Sequence, residues 1–174
     1  MKSEVLKALK ERRSVRSYES TPVPADLLGE ILDAATYAPT GNGRQAPIMI
    51  AVTNREDRDE VMRLNAKVMG SRDADPYYGA PVIVLVLSSD ATGTPVEDGA
   101  NVLTYLMVAA EACGLSSVWV HREKEIFESA EGKALLAKWG IEGNYTGIVS
   151  IAIGYAKGEK TSAAARKKDY YHIV

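Results

Sequence analysis

The period of the apolar positions changes along the chain, and each change marks a boundary between helix, strand and loop. Val5, Leu6 and Leu9 form a narrow stripe that predicts a short amphipathic helix ending near Arg12. Ser3 stands where a cap is wanted, and Glu4 lies in the favourable first turn. Pro22 and Pro24 keep the following loop extended, and Pro24 also fits as a first helical residue. Leu27, Leu28, Ile31, Leu32 and Ala35 recur at helical spacing until Pro39 closes the run. Residues 38–47 are too rich in Gly and Pro for regular structure. Residues 48–52 then read as a strand, and residues 54–70 as a helix with Val61, Leu64 and Val68 on one face. After a turn at Tyr77-Tyr78-Gly79-Ala80-Pro81, residues 82–87 are apolar without alternation. That is the pattern of a central strand covered on both faces.

Residues 88–95 read as loop, and 96–113 as a helix that is apolar nearly all round. Such a helix is buried in a core or in an interface. Gly114 supplies its C-terminal cap. A short strand at 117–120, one or two short helices between 124 and 139, and a last strand at 146–154 follow. The final twenty residues are basic, with Lys157, Lys160, Arg166, Lys167 and Lys168, and end in Tyr170-Tyr171-His172-Ile173-Val174. They cannot form a core alone, so they are expected to lie across the rest of the molecule or across a partner chain. Alternating helices with about four strands predict a single layered α/β or α+β domain.

Composition narrows the functional classes. A chain of 174 residues points to one domain, long enough to bury roughly 70% of its unfolded surface. The net charge of −2 argues against a general nucleic-acid or membrane-surface role. No segment reaches the ~18 apolar residues of a membrane span, and no apolar stretch of signal-peptide length follows Met1-Lys2-Ser3-Glu4. A single cysteine precludes an internal disulfide and fits a reducing compartment. The expected location is cytoplasmic.

Against that ordinary background, Arg12-Arg13-Ser14-Val15-Arg16 stands out. It gathers three guanidiniums and a hydroxyl at a helix-to-loop junction. Guanidinium forks match phosphate oxygens two at a time, and a serine adds a short donor. Taken alone, the cluster also fits a solvated basic turn at a helix C-terminus. Gly41-x-Gly43-x-x-Ala46 has the spacing of a dinucleotide fingerprint, but here a helix precedes it and a strand follows. The fingerprint requires the reverse order, so a Rossmann reading is rejected. What survives is a flexible, amide-rich loop that can approach a flat ligand closely. His121 and His172 stand far apart without an acidic partner, which argues against a metal site. Cys113 lacks an activating neighbour and reads as core. No nucleophile elbow, Walker loop or carboxylate pair is present. A grip for an anion without acid–base machinery points to a bound cofactor that carries the chemistry. Arg166 joins that grip if the basic tail folds back toward Arg12 and Arg16.

These motifs, in order, resemble those of the nitroreductase family of FMN-dependent oxidoreductases. The resemblance rests on Arg12-Arg13-Ser14-Val15-Arg16-Ser17-Tyr18, on Leu27 to Ala35, and on Ala38-Pro39-Thr40-Gly41 to Gln45. It continues through Tyr78-Gly79-Ala80-Pro81, Asp98-Gly99-Ala100, Gly114-Leu115-Ser116-Ser117 and Ile151-Ala152-Ile153-Gly154-Tyr155. It implies an α+β fold in α/β/α layers, with a mixed central sheet flanked by helices. It further implies an intertwined homodimer with C-terminal segment exchange and two FMN sites at the interface. On that reading residues 1–174 form one FMN-binding domain, with 155–174 as an extended C-terminal arm.

Carried over by position, Arg12, Arg13, Ser14 and Arg16 resemble the residues that hold the FMN phosphate and the polar edge of its ring. Pro39, Thr40 and Gly41 resemble the loop that approaches the flavin from the partner subunit, with Gln45 as its terminal glutamine. Trp119, Val120 and His121 resemble the segment whose backbone lies beside the ring. Arg166 resembles the C-terminal arginine of the phosphate site, and Asn65 a looser contact at the ring's polar edge. Gly43 stands where the family often has Asn, Ala46-Pro47 where it has Pro-Trp, and Ala164 where it has Lys. The chain is short for the family, which predicts that an inserted helical lid is missing.

The implied activity is ping-pong hydride transfer from NAD(P)H, as co-substrate, through non-covalent FMN to a nitroaromatic, quinone or similar acceptor. No side chain is expected to act as acid or base, and Arg16 would offset negative charge at the ring's N1/O2 edge. A flavin-binding, flavin-storage or regulatory protein of the same fold is the second reading. A non-flavin module whose arginines hold another phosphate ligand is the third. No nucleic acid or membrane partner is expected.

Overall fold

The structure, a computed structural model, describes residues 2–89 and 93–174. The side chain of Ser3, the expected cap, and residues 90–92 of the expected 88–95 loop lie outside what is described. Among those described there are six α-helices and four strands: α1 (Lys2–Glu11), α2 (Ala25–Thr36), β1 (Pro47–Val52), α3 (Arg55–Met69), β2 (Val82–Ser88), α4 (Pro95–Ala112), β3 (Ser116–Val120), α5 (Glu123–Glu128), α6 (Ala130–Lys138) and β4 (Thr146–Gly154). Helix α3 is closed at both ends. The Asn54 side chain accepts from Asp57 N at 2.8 Å, and Gly70 takes the left-handed conformation at the far end.

The sheet order is β1-β2-β4-β3. Every pairing among these strands is antiparallel. The one parallel contact is an isolated bridge between Ser14 and Ser117, which extends the sheet past the edge of β3. Side chains of β2 alternate between two cores, as strand geometry requires. Ile83, Leu85 and Leu87 pack with Val61 and Leu64 of α3, Ile126 and Phe127 of α5, and Leu135 of α6. Val82, Val84 and Val86 pack with Leu28 and Ile31 of α2 and with Leu103 and Leu106 of α4. This gives the helix–sheet–helix layering expected. Each fully buried Leu, Ile or Val contributes roughly 1.5–3 kcal/mol.

Helix α4 departs from the all-round burial read from its composition. Val102, Leu103, Leu106 and Ala110 are buried, but Val96 is 60% exposed and Tyr105 39%. A helix laid on a sheet turns only one face inward, and Val96 and Tyr105 lie on the outer one. Close approach of α4 to β4 depends on Gly99, where a Cβ would stand 2.8 Å from the Ile148 side chain. Helix α2 begins one residue later than the proline signal indicated: Pro24 flanks the helix and its carbonyl accepts from Leu28 N at 2.9 Å. Val68, expected on the inner face of α3, is 39% exposed. Among the described residues no helix is long and apolar enough to cross a membrane.

Candidate functional site

The N-terminal segment and the start of the C-terminal arm run side by side. Val15 N donates to Ser117 O at 3.1 Å, Glu19 N to Tyr155 O at 2.9 Å, and Lys157 N to Ser17 O at 3.0 Å. Tyr18 anchors the crossing from inside the core, its hydroxyl donating to the Val15 carbonyl at 2.9 Å. Its burial pushes the phenol well above its ordinary range, so it stays neutral. Farther on, Lys160 Nζ reaches Glu111 of α4 at 2.7 Å and ties the arm down.

A cavity of about 580 Å3 opens between α1 and this arm. Arg12, Arg13 and Ser14 line one side, and Ser162 and Arg166 the other. The guanidiniums differ in their partners. Arg13 Nη1 donates to the carbonyls of Lys10 and Arg12, both at 2.7 Å, and so caps the free carbonyls at the end of α1. Arg12 Nη1 is buried with no partner, as is Arg13 Nε. Arg166 turns Nε and Nη2 to its near neighbour's carbonyl, Ala164 O, at 3.1 and 2.7 Å. Arg16 is exposed, with Nη1 3.5 Å from Ser14 O. A buried guanidinium donor left without an acceptor costs about 1–3 kcal/mol. An anion in the cavity removes that cost, so the donor set fits a phosphate-bearing ligand.

Trp119 on β3 and His121 just past its end share a side, with ring centroids 5.8 Å apart at 42°. Both are exposed, whereas Val120 points into the core and presents only backbone there. The 39–45 loop lies elsewhere. Pro39, Thr40 and Gln45 line a separate cavity of about 420 Å3. Two side chains of α4 pin the loop. Asp98 Oδ1 accepts from Gly41 N at 2.9 Å, and Asn101 Nδ2 donates to Pro39 O at 2.7 Å. Thr40 Oγ1 accepts from Gln45 N at 2.9 Å.

Residues 9–155 match the family model of the nitroreductase family. The chain belongs to the nitroreductase family. Over 98% of both chains it superposes with a TM-score of 0.89, at 29% identity, on a nitroreductase from Bacteroides fragilis solved with bound FMN. A nitroreductase with bound FMN from Desulfitobacterium hafniense shares the fold at TM-score 0.84 and 24% identity, with 98% of both chains covered. A protein of Methanothermobacter thermautotrophicus named for NADH dehydrogenase and NAD(P)H nitroreductase activity is 31% identical over 122 residues. That alignment covers 68% of this chain and only 61% of the relative, so the chain spans about three fifths of that relative's length.

Within this nitroreductase-family chain the structure brings Arg12, Arg13, Ser14 and Arg166 around one cavity. It places Trp119 and His121 at the sheet edge that Ser14 adjoins, and it sets Pro39, Thr40, Gly41 and Gln45 apart. Asn65 goes to none of these surfaces. It is fully buried, its Nδ2 2.8 Å from His121 O and 3.1 Å from the Tyr77 hydroxyl, while its Oδ1 accepts from Arg122 Nη1 at 3.2 Å. A side chain so fully partnered inside the protein has no group left for a ring edge, so Asn65 is withdrawn from the cofactor contacts. Sequence reasoning used Asp98 only as part of a family motif, without a role, and passed over Glu123. The signal for Asp98 was an acidic residue in the first turn of an otherwise apolar helix. Glu123 gave none, because an acidic first turn is the ordinary surface pattern.

Proposed function

We propose that this protein is an FMN-dependent oxidoreductase that takes reducing equivalents from NAD(P)H and delivers them to nitroaromatic, quinone or similar acceptors. The observation that carries the reading is the buried, partnerless Nη1 of Arg12, a residue that lines a cavity which Arg166 lines from the opposite end of the chain. The fold shared at 29% identity with an FMN-bound nitroreductase supports the choice of anion.

On this reading Arg12 and Ser14 donate to the phosphate from one side and Arg166 from the other. Arg13 keeps the end of α1 closed and so holds Arg12 in place. Arg16, exposed and held only by a long contact to Ser14 O, swings its positive charge to the polar edge of the ring. Trp119 and His121 offer an aromatic flank, and Val120 its backbone. FMN, when bound, supplies the hydride chemistry. No side chain of the grip need carry a proton, and none of its arginines can lose one. Residues 155–174 serve as an arm across a second copy of a single domain spanning 1–174. The Pro39–Thr40–Gly41 loop, held rigid by Asp98 and Asn101, serves the partner's site rather than its own. That division of labour accounts for the distance between the two cavities.

Titration of FMN against the protein, followed by NAD(P)H oxidation with a quinone or nitroaromatic, tests the reading. The expected result is saturable binding and parallel double-reciprocal lines, since both substrates use one open face in turn. FMN binding without NAD(P)H oxidation for any acceptor sinks the enzyme and leaves a flavin-binding protein.

A further inference from the structure

Behind the exposed Trp119 and His121 lies a buried polar cluster that the proposed cofactor grip does not use. Glu123, in the first turn of α5, is fully buried. Its Oε1 lies 3.2 Å from the Tyr77 hydroxyl and 3.4 Å from Asn65 Nδ2, and it accepts from Ser150 Oγ of β4. Its Oε2 is buried without any partner. The neighbouring Arg122 sends Nη1 to Asn65 Oδ1 at 3.2 Å rather than to the carboxyl. The cluster thus joins α3, the 71–81 loop, β4 and the turn between β3 and α5.

That turn is strained. Arg122 has φ +96°, in the left-handed region that a side chain with a Cβ disfavours. Such a conformation persists only where its surroundings over-determine it. Here they are Asn65, which holds the His121 carbonyl on one side of Arg122, and Glu123, which stands behind Asn65 on the other. The two N–H groups of Asn65 Nδ2 face three oxygens: His121 O, the Tyr77 hydroxyl and Glu123 Oε1. An ionised carboxylate is an acceptor only and pulls harder on that amide than a neutral carboxyl does. Ionisation therefore draws Asn65 away from His121 O.

We propose that Glu123 is a positioning residue for the cofactor: acting through Asn65, its neutral carboxyl lets the Trp119–His121 edge be held in place, and its ionisation loosens flavin binding. This rests on the reading above, that FMN lies beside that edge. Burial, the largest influence, pushes the Glu123 carboxyl up to about 7, against smaller opposing effects of Ser150, Tyr77 and Arg122. Tyr77 is held neutral by its own burial, so Glu123 and Arg122 are the groups in the cluster whose charge matters.

The test is the FMN dissociation constant, read from flavin fluorescence between about pH 6 and about pH 8, for wild type and Glu123→Gln. The glutamine keeps a donor and an acceptor but cannot ionise. The expected result is a wild-type constant that weakens about threefold or more across the window relative to the variant. The variant should keep only the dependence that does not involve Glu123, the phosphate's own second ionisation at about pH 6 included, and match wild type at the acid end. Glu123→Ala, which leaves Asn65 and Ser150 short of a partner, should bind about tenfold more weakly throughout. Should the alanine variant fail to fold, the glutamine profile decides alone. A purely structural carboxyl shifts the melting temperature and leaves the two affinity profiles parallel, which overturns the proposal. A wild type that binds no FMN at any pH overturns the cofactor reading and the proposal with it.

Discussion

Arg12 and Arg13 are neighbours of one residue type with opposite duties. Arg13 spends its Nη1 on the carbonyls that end α1, while Arg12 holds a buried donor with nothing to give it to. Arg12→Ala should weaken FMN binding by about 1.5–3 kcal/mol, the scale of a hydrogen bond to a charged group, which equilibrium titration reads as roughly 10- to 150-fold. Arg166→Ala should cost less, about tenfold or below, because its guanidinium already has Ala164 O as a partner. Equal affinities for wild type and Arg12→Ala would mean the phosphate sits elsewhere. The sequence made the cluster visible, but only the motifs that follow it told against a solvated basic turn. Which arginine caps and which waits was invisible, because it depends on the direction the chain leaves Glu11.

A second residue-scale expectation concerns stability. The folded-state Glu123 carboxyl lies at about 7, above its ordinary 4.5. A raised value favours the protonated group, so this contribution is complete below pH 4.5 and is lost as pH rises through about 7. The loss reaches about 3 kcal/mol when ionisation is complete. Denaturant unfolding of wild type should therefore show stability falling from mildly acid to mildly alkaline pH, and Glu123→Gln should flatten that fall. Identical curves would show that the carboxyl is not held neutral.

At the scale of elements, β2 was the most legible part of the chain. Six apolar residues without alternation require cover on both faces, and both cores meet there. The apolar excess of α4 was equally plain, but an excess of apolar surface does not say what covers it, so the bare outer face could not be read. Asn65 shows the same limit, since the resemblance offered it as a ring-edge contact and nothing in the sequence named the partners that bury it. Gly147 was unremarkable in sequence, yet a Cβ there would stand 2.2 Å from the Glu123 carbonyl oxygen. Backbone at that distance cannot step aside cheaply. Gly147→Ala should push α5 off β4 and cost about 3 kcal/mol, readable as a lower denaturant midpoint; an unchanged midpoint would contradict the packing. The Asp98 contact to Gly41 N is likewise an element-to-element tie. Asp98→Ala should release the 39–45 loop and raise the KM for the acceptor with little change in melting temperature.

At the scale of the whole molecule, the two ends of the chain leave apolar side chains in water. Val5, Leu6 and Leu9 of α1 are about half exposed, and Tyr171 of the arm is 79% exposed. Patches of that kind mark surfaces that meet another chain. The same chain carries an arginine-lined cavity at one place and a glycine-rich, α4-pinned loop at another. A homodimer in which the arm crosses to the second copy, and the loop of each completes the site of the other, accounts for both. The order of the motifs leads to this proposal only by resemblance, because nothing in a single chain's periodicity encodes its partner. The most direct measurement is light scattering coupled to visible absorbance on freshly purified protein, before and after addition of FMN. The account expects a particle of twice the chain mass carrying one flavin per chain. A particle of single-chain mass that stays colourless with FMN present would contradict it.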